Sequence, residues 1–426
     1  MIKEKEYKKR RDHFAQKLQK NSVAVLCAAP QRVRSNDTEY PYRQDSNFYY
    51  LTGFKEDNAA LVFVKKTTEC KVYLFVQKKE PTLELWTGKR LGSKEAKKRF
   101  LVDNVYIISK LNPKTKEFLE GAKNLYYDFK AQNEKIEQLK TLSKNILEFK
   151  NAASIVEKMR LIKSSSEIAL IKKALKITKE AHHKAMWASK QLSFEYELQA
   201  EIEYIFKKNG AYSDAYTSIV ASGDNANTLH YVDNNKPLKS GELILIDAGC
   251  EYDYYSSDIT RTIPVSGKFT KEQKELYQMV LDVEKKIISM IQPNILRSKL
   301  QSEAEKLLCK GMVKLGILQG DVKKLLKEKA HKKYFPHGIG HYMGLDVHDQ
   351  NPYKDKKDKE ISLKAGMILT IEPGIYLPQD DKKIPKKYRG IGIRIEDDIL
   401  VTKDGYKNLS IDIKKEIKDI EVYSSL

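Results

Sequence analysis

Hydrophobic residues in the first third of the chain come in short runs: SVAVLCA at 22–28, AALVFVKK at 59–66 and KVYLFVQKK at 71–79. Runs of this length, rich in Val, Leu and Phe, predict strands, and the charged stretches between them predict helices, giving a mixed sheet flanked by helices. The texture changes near residue 164. Ser164 stands three residues before Glu167, a capping box in which each side chain satisfies an amide at the start of a helix. A long amphipathic helix, EIALIKKALKITKEAHHKAMWA, is predicted to follow, and a second through YELQAEIEYIFKK should stop at Gly210. Two more helices are predicted to open at Thr270-x-x-Gln273 and Ser298-x-x-Gln301. Strand patterns appear in GELILIDAGCEY, SSDITRTIPV, MILTIEPGIY and GIGIRIEDDIL. The fold class is α/β (α+β), with an N-terminal domain over residues 1–163 and a second domain over 164–426.

Composition changes this picture little. At 426 residues, 41% hydrophobic and 32% charged, the chain suits a soluble protein with more than one core. No apolar run is long enough to span a membrane, so no membrane partner is expected. The charged start, MIKEKEYKKRR, lacks the apolar centre of a secretory signal, and the four cysteines show no CxxC spacing. A cytoplasmic protein with reduced thiols is expected. The net charge of +20 raises nucleic acid as a partner. The lysines, however, are mixed with glutamate along the whole chain, as in KEQKEL, and read as solvated helix faces, so no nucleic acid is expected.

Candidate chemistry begins with PHGIGHYMGLDVHD at 336–349, which holds three of the eight histidines. His337 and His341 have the i, i+4 spacing of a helical zinc site, but Pro336, Gly338 and Gly340 make a helix untenable there. In an extended chain His337 and His341 share a face and His348 is out of phase. Further ligands must come from elsewhere. His182 and His183, adjacent on the long helix, are poor co-ligands and read as packing or surface residues.

Three carboxylates stand out because their surroundings are apolar. Asp247 ends LILID, Glu372 ends MILTIE before Pro373, and Glu396 follows GIGIRI, sharing a strand face with Arg394. A buried, unpartnered carboxylate costs several kcal/mol or more. Asp258, across the predicted turn EYDYYSS, can join Asp247 on one hairpin face. Two divalent ions would balance these four charges, with His341 as a neutral fifth ligand. An oxygen-rich, nitrogen-poor set of this kind suits Mn²⁺ or Co²⁺ better than a structural zinc.

The ordered motifs LIDAG, SDITRT, HGIGHYMGLDVHD, TIEPGIY and GIGIRIEDD resemble those of the pita-bread metallopeptidases, in particular the bacterial Xaa-Pro aminopeptidases (aminopeptidase P). The resemblance extends through NDTEYPYRQDSNFYYLTGF, LWTGKRLG and MRLIKS in the N-terminal half. It implies a creatinase-like N-terminal domain and a catalytic domain with a curved antiparallel sheet covered by helices. It implies that Asp247 holds one metal, that His341 and Glu372 hold the other, and that Asp258 and Glu396 bridge both. His230, His337 and His348 match non-ligand active-site histidines, and Arg394 matches an arginine behind the ligands. The implied cofactors are two divalent metal ions, Mn²⁺ first, with Co²⁺ or Zn²⁺ as alternatives. The implied substrates are peptides with proline in second position, and the implied assembly is a homodimer or homotetramer in which Trp86 reaches a neighbouring site. Glu372 is expected to handle the proton of the attacking water and His348 to donate to the developing oxyanion. Alternatives are a dipeptidase restricted to Xaa-Pro and a non-catalytic peptide- or RNA-binding module.

Overall fold

The computed structural model describes residues 2–424 except 132 and 144. Backbone contacts divide the chain into two compact units, residues 1–160 and 161–426. In the first, six strands form one sheet: β1 (Ser22–Cys27), β2 (Ala60–Lys65), β3 (Cys70–Val76), β4 (Asn104–Ile107), β5 (Asn124–Tyr127) and β6 (Glu148–Asn151). Their spatial order is β4-β3-β2-β1-β5-β6. The pairs β1–β2 and β2–β3 are antiparallel, whereas β4, β5 and β6 join in parallel. This is the mixed sheet that the alternation of strand-like and charged segments predicts. Helix α1 (Glu4–Lys17) buries Phe14 against Phe63 of β2, with ring centroids 4.8 Å apart. Helix α2 (Ser46–Thr52) begins on an Asp45 cap. Helix α3 (Pro81–Thr87) buries none of its residues, leaving Trp86 85% exposed.

The second unit opens with α4 (Ser165–Ala188), whose capping box between Ser164 and Glu167 forms as expected. Next come α5 (Glu195–Lys208), α6 (Lys271–Ser289), with its Thr270–Gln273 box, and α7 (Arg297–Lys314). Ser298 does not cap α7. The helix starts one residue earlier, and the Ser298 hydroxyl donates to Glu360 at 2.5 Å, so a strong local acceptor outcompetes the capping geometry. Leu276, Tyr277, Val280, Leu281, Leu300, Ala304 and Leu308 of α6 and α7 pack with strand residues into one large core.

Besides the short strand Ser213–Asp214, the strands of this unit are β7 (Ile219–Ser222), β8 (Leu243–Asp247), β9 (Cys250–Tyr252), β10 (Tyr255–Ser256), β11 (Thr260–Pro264), β12 (Ile368–Ile371), β13 (Gly374–Leu377), β14 (Ile391–Arg394), β15 (Asp397–Val401) and β16 (Tyr406–Asn408). Every pairing among them is antiparallel. Each of the four long strand patterns in the sequence is broken in two. GELILIDAGCEY divides at Gly249, where a Cβ would lie 1.9 Å from the Ser257 carbonyl oxygen. MILTIEPGIY divides at Pro373, which has no N–H to continue the ladder. The separate pieces are stitched by bonds such as Glu396 N to Thr260 O, 3.1 Å, and Ile395 N to Pro373 O, 3.3 Å.

Candidate metal centre

The breaks between strands are where the acidic side chains emerge. Asp247 is the last residue of β8, Asp258 lies between β10 and β11, Glu372 between β12 and β13, and Glu396 between β14 and β15. The histidine-rich segment is extended from Ile339 to Met343 and bends over 344–348, where His348 sits. It runs beside β12, with Thr370 N donating to His341 O at 2.9 Å and Glu372 N to Ile339 O at 2.9 Å. Gly340 makes this approach possible, because a Cβ there would sit 1.9 Å from the Thr370 carbonyl oxygen.

All four carboxylates, with His230, His337, His341, His348 and Arg394, line one cavity of about 480 Å³. Within it Asp258, His341 and Glu396 each offer a ligand atom, all within 4.8 Å of one another. Glu372 Oε1 lies 3.7 Å from His341 Nε2. Asp247 is held slightly apart: Tyr216 donates to its Oδ1 at 2.6 Å, and Arg394 Nη2 pairs with its Oδ2 at 2.6 Å. Arg394 is buried rather than lying on a solvated face. It also donates to Thr260 Oγ1 at 3.1 Å and to the Tyr376 hydroxyl at 2.9 Å.

The protonation pattern of the imidazoles follows from their partners. His341 Nδ1 faces the Tyr342 carbonyl at 3.1 Å, and a carbonyl can only accept, so Nδ1 carries the hydrogen. Nε2 is then the position aimed at Asp258 Oδ2, 3.2 Å away, and at Glu372, and without a proton it would set its lone pair against theirs. Lone pairs converge in this way only around a proton or a metal cation. Burial works against a charge on His341, but the hydrogen bond and negative charge of Asp258, with Glu372, push its pKa up to about 9. Burial raises Glu372 to about 7, and burial with repulsion from Asp258, Glu372 and Asp247 carries Glu396 well above the usual carboxylate range. One imidazole nitrogen among carboxylate oxygens fits divalent cations of intermediate hardness, and no thiol lines the cavity. A backbone carbonyl on the far nitrogen of His341 is also how metal-ligating histidines are commonly fixed.

Family models match at this point. Residues 169–403 match "Metallopeptidase family M24", and residues 7–126 match "Aminopeptidase P, N-terminal domain". The chain belongs to metallopeptidase family M24. A Haemophilus influenzae Xaa-Pro aminopeptidase is 40% identical over 98% of this chain and 96% of its own length. An Escherichia coli Xaa-Pro aminopeptidase is 40% identical over 99% and 97%. A solved structure of zinc-substituted E. coli aminopeptidase P in complex with product superposes with a TM-score of 0.96, at 38% identity, covering 100% of this chain and 98% of that one. This M24 chain is thus a peptide hydrolase, and membership in a metallopeptidase family implies divalent metal ions. Among the described residues no helix is long and apolar enough to cross a membrane.

His337 is the most constrained imidazole of this M24 site. Its Nδ1 donates to the Gly338 carbonyl at 2.8 Å, so Nε2 accepts from the Tyr376 hydroxyl at 2.8 Å. Burial, with Arg394 nearby, lowers its pKa to about 4, so it stays neutral. The His348 ring meets the His341 ring edge-on at 4.2 Å. His230 is exposed at the cavity wall. His182 is a packing residue whose Nε2 donates to Ala248 O at 2.9 Å, and Cys250 is buried away from the cavity near Thr178.

Four contributors had no sequence assignment. Tyr376 and Tyr216 supply hydroxyls, Thr260 donates to Glu396 Oε2 at 2.7 Å, and Asp398 Oδ2 accepts from Asp258 N at 3.1 Å. Only Tyr376 left a usable signal, as a lone hydroxyl in the apolar strand GIYL. Behind them the fully buried Arg261 donates to the carbonyls of Thr260 and Glu396, at 2.9 and 2.6 Å, and to Asp397 at 2.7 Å.

Proposed function

We propose that the chain is a dinuclear-metal aminopeptidase that hydrolyses the N-terminal Xaa-Pro bond and releases the first residue from peptides with proline in second position. The convergence of Asp258, His341 and Glu396 from three distant segments, inside a cavity also walled by Asp247 and Glu372, carries this proposal. The names of the full-length relatives support the proline preference. Asp247, Asp258, His341, Glu372 and Glu396 are the metal-holding set, with Mn²⁺ the first candidate and Co²⁺ or Zn²⁺ the alternatives. When bound, the ions would supply Lewis acidity toward the scissile carbonyl and toward an attacking water.

The protein's own groups do the rest. Glu372, which lines the cavity beside His341, accepts the proton of the attacking water and hands it to the leaving nitrogen. His348 donates to the carbonyl oxygen as negative charge develops on it. His230, which lines the same cavity, binds substrate. Neutral His337, backed by Tyr376, offers an uncharged flank to the pyrrolidine ring. Arg394 fixes Asp247 and the Tyr376 hydroxyl together.

We assign residues 1–163 to an N-terminal domain and 164–426 to catalysis. A homodimer or homotetramer in which Trp86 reaches a neighbouring site is supported by the exposure of Leu85 and Trp86 on α3. The unbonded cysteines favour the cytoplasm. The deciding experiment strips metal, restores Mn²⁺, Co²⁺ or Zn²⁺ separately, and follows an Xaa-Pro-Xaa tripeptide beside an Xaa-Pro dipeptide. Release of the first residue from the tripeptide, restored best by Mn²⁺, is expected. Cleavage of the dipeptide alone would turn the assignment to a dipeptidase, and full activity without metal would end it.

A further inference from the structure

His230 and His348 are both exposed, yet each is followed at once by a residue whose side chain is buried, Tyr231 and Asp349. Both buried residues are tied to a buried charged group elsewhere in the unit. Tyr231 donates its hydroxyl to Glu195 Oε2 at 2.8 Å. Glu195, at the first position of α5 and wholly buried, also accepts from Ser222 N and Oγ (2.7 Å each), Asn225 Nδ2 (2.9 Å) and Lys236 N (2.9 Å). All these donors lie between residues 222 and 236, the segment that carries His230. On the other flank Lys163 Nζ meets Asp349 Oδ2 at 3.1 Å, with both side chains 1% exposed. Asp349 Oδ2 also accepts from Asn351 Nδ2 at 2.6 Å, and its backbone N donates to Tyr342 O at 2.9 Å. Neither Glu195 nor Lys163 lines the cavity.

A buried charge that only served stability could bond anywhere. Here each is spent on one loop, and on the residue next to an imidazole that has few contacts of its own. We infer that Glu195 and Lys163 are positioning residues, acting on His230 through Tyr231 and on His348 through Asp349. This rests on the roles given above to those two histidines. An exposed side chain freely samples rotamers, and anchoring its neighbour's backbone removes the larger uncertainty, the place of its Cα.

The test is a crossed set of double-mutant cycles on the metal-loaded protein. Tyr231→Phe and Asp349→Asn, which keep shape, are made alone and in His230→Ala and His348→Ala backgrounds, with melting temperature and metal content measured for each. Each single change is expected to lower kcat/KM on the order of tenfold. The loss from Tyr231→Phe should vanish in the His230→Ala background and persist in the His348→Ala background, and Asp349→Asn should do the reverse. Hydrogen exchange should quicken over 222–236 in the first variant and over 342–351 in the second, and Glu195→Gln and Lys163→Met should repeat the pattern. Losses of equal size in both backgrounds, or no loss at all, would overturn the inference. If His230→Ala and His348→Ala leave kcat/KM unchanged, the histidine roles themselves fall, and the inference falls with them.

Discussion

Tyr376 uses one hydroxyl twice, accepting from Arg394 and donating to His337. Tyr376 at least stood alone in an apolar strand, but the hydroxyls of Tyr216 and Thr260 were invisible in the sequence, because only a three-dimensional partner distinguishes them. Carboxylates were legible for the opposite reason: Asp247, Glu372 and Glu396 stand out wherever the neighbouring pattern is apolar. Two expectations belong to this scale. Glu372→Gln should cut kcat by roughly 10²–10⁴-fold, the span of a general acid–base group, while the melting temperature of the metal-free protein stays close to wild type. Steady-state kinetics beside thermal denaturation measures both. His341 gives the pH dependence. Its folded pKa of about 9 exceeds the ordinary histidine value of about 6.5, so its contribution to the metal-free fold is complete below about 6.5 and is lost as pH rises through about 9. Near neutrality His341 therefore holds a proton that a metal must displace. Calorimetric titration of metal in buffers of different ionisation enthalpy should record proton release at pH 7 that shrinks toward pH 10 and is smaller in His341→Asn, where only the raised carboxyls Glu372 and Glu396 still contribute.

At the scale of elements, the capping boxes at Ser164 and Thr270 could be read directly, since each is a local exchange of hydrogen bonds. Ser298 has the same letters and a different fate because Glu360, distant in sequence, captures its hydroxyl. The strand patterns were legible as strands and illegible as broken ones: a break is fixed by a neighbour, as at Gly249 against Ser257. Gly340 provides the test. Gly340→Ala would push a methyl into the Thr370 carbonyl and part the His341 segment from β12. A destabilisation of about 1–3 kcal/mol is expected from such overpacking. Denaturant melts should show it, with metal affinity falling in the same variant.

At the scale of the whole molecule, a buried ionic chain links elements far apart in sequence. Arg261 pairs with Asp397, Asp397 with Lys415, and Lys415 Nζ with both Glu284 oxygens at 2.8 and 2.7 Å. It joins β11, β15, α6 and the segment around residue 415, and Arg261 also donates to the carbonyls of Ile413 and Lys414. Nothing in the spacing of these residues announced it, because its four members are drawn from four separate elements. Lys415→Met would strand the buried Glu284 carboxylate and leave Asp397 to Arg261 alone, and a loss of about 3–5 kcal/mol is expected in chemical denaturation. Metal acts at the same scale. At a hundredfold excess over Kd it should add about 2.7 kcal/mol to the folded state, so the melting temperature should climb with metal concentration in the wild type and far less in His341→Asn.

The acidic groups all emerge where one strand stops and another begins, and those stops are far apart in the order of synthesis. A growing chain that has passed Asp247 and Asp258 still lacks the histidine segment, and one that has passed Glu372 still lacks Glu396. Hydrolytic power of the kind proposed is thereby withheld from a partly made copy until the last of these groups has joined the rest.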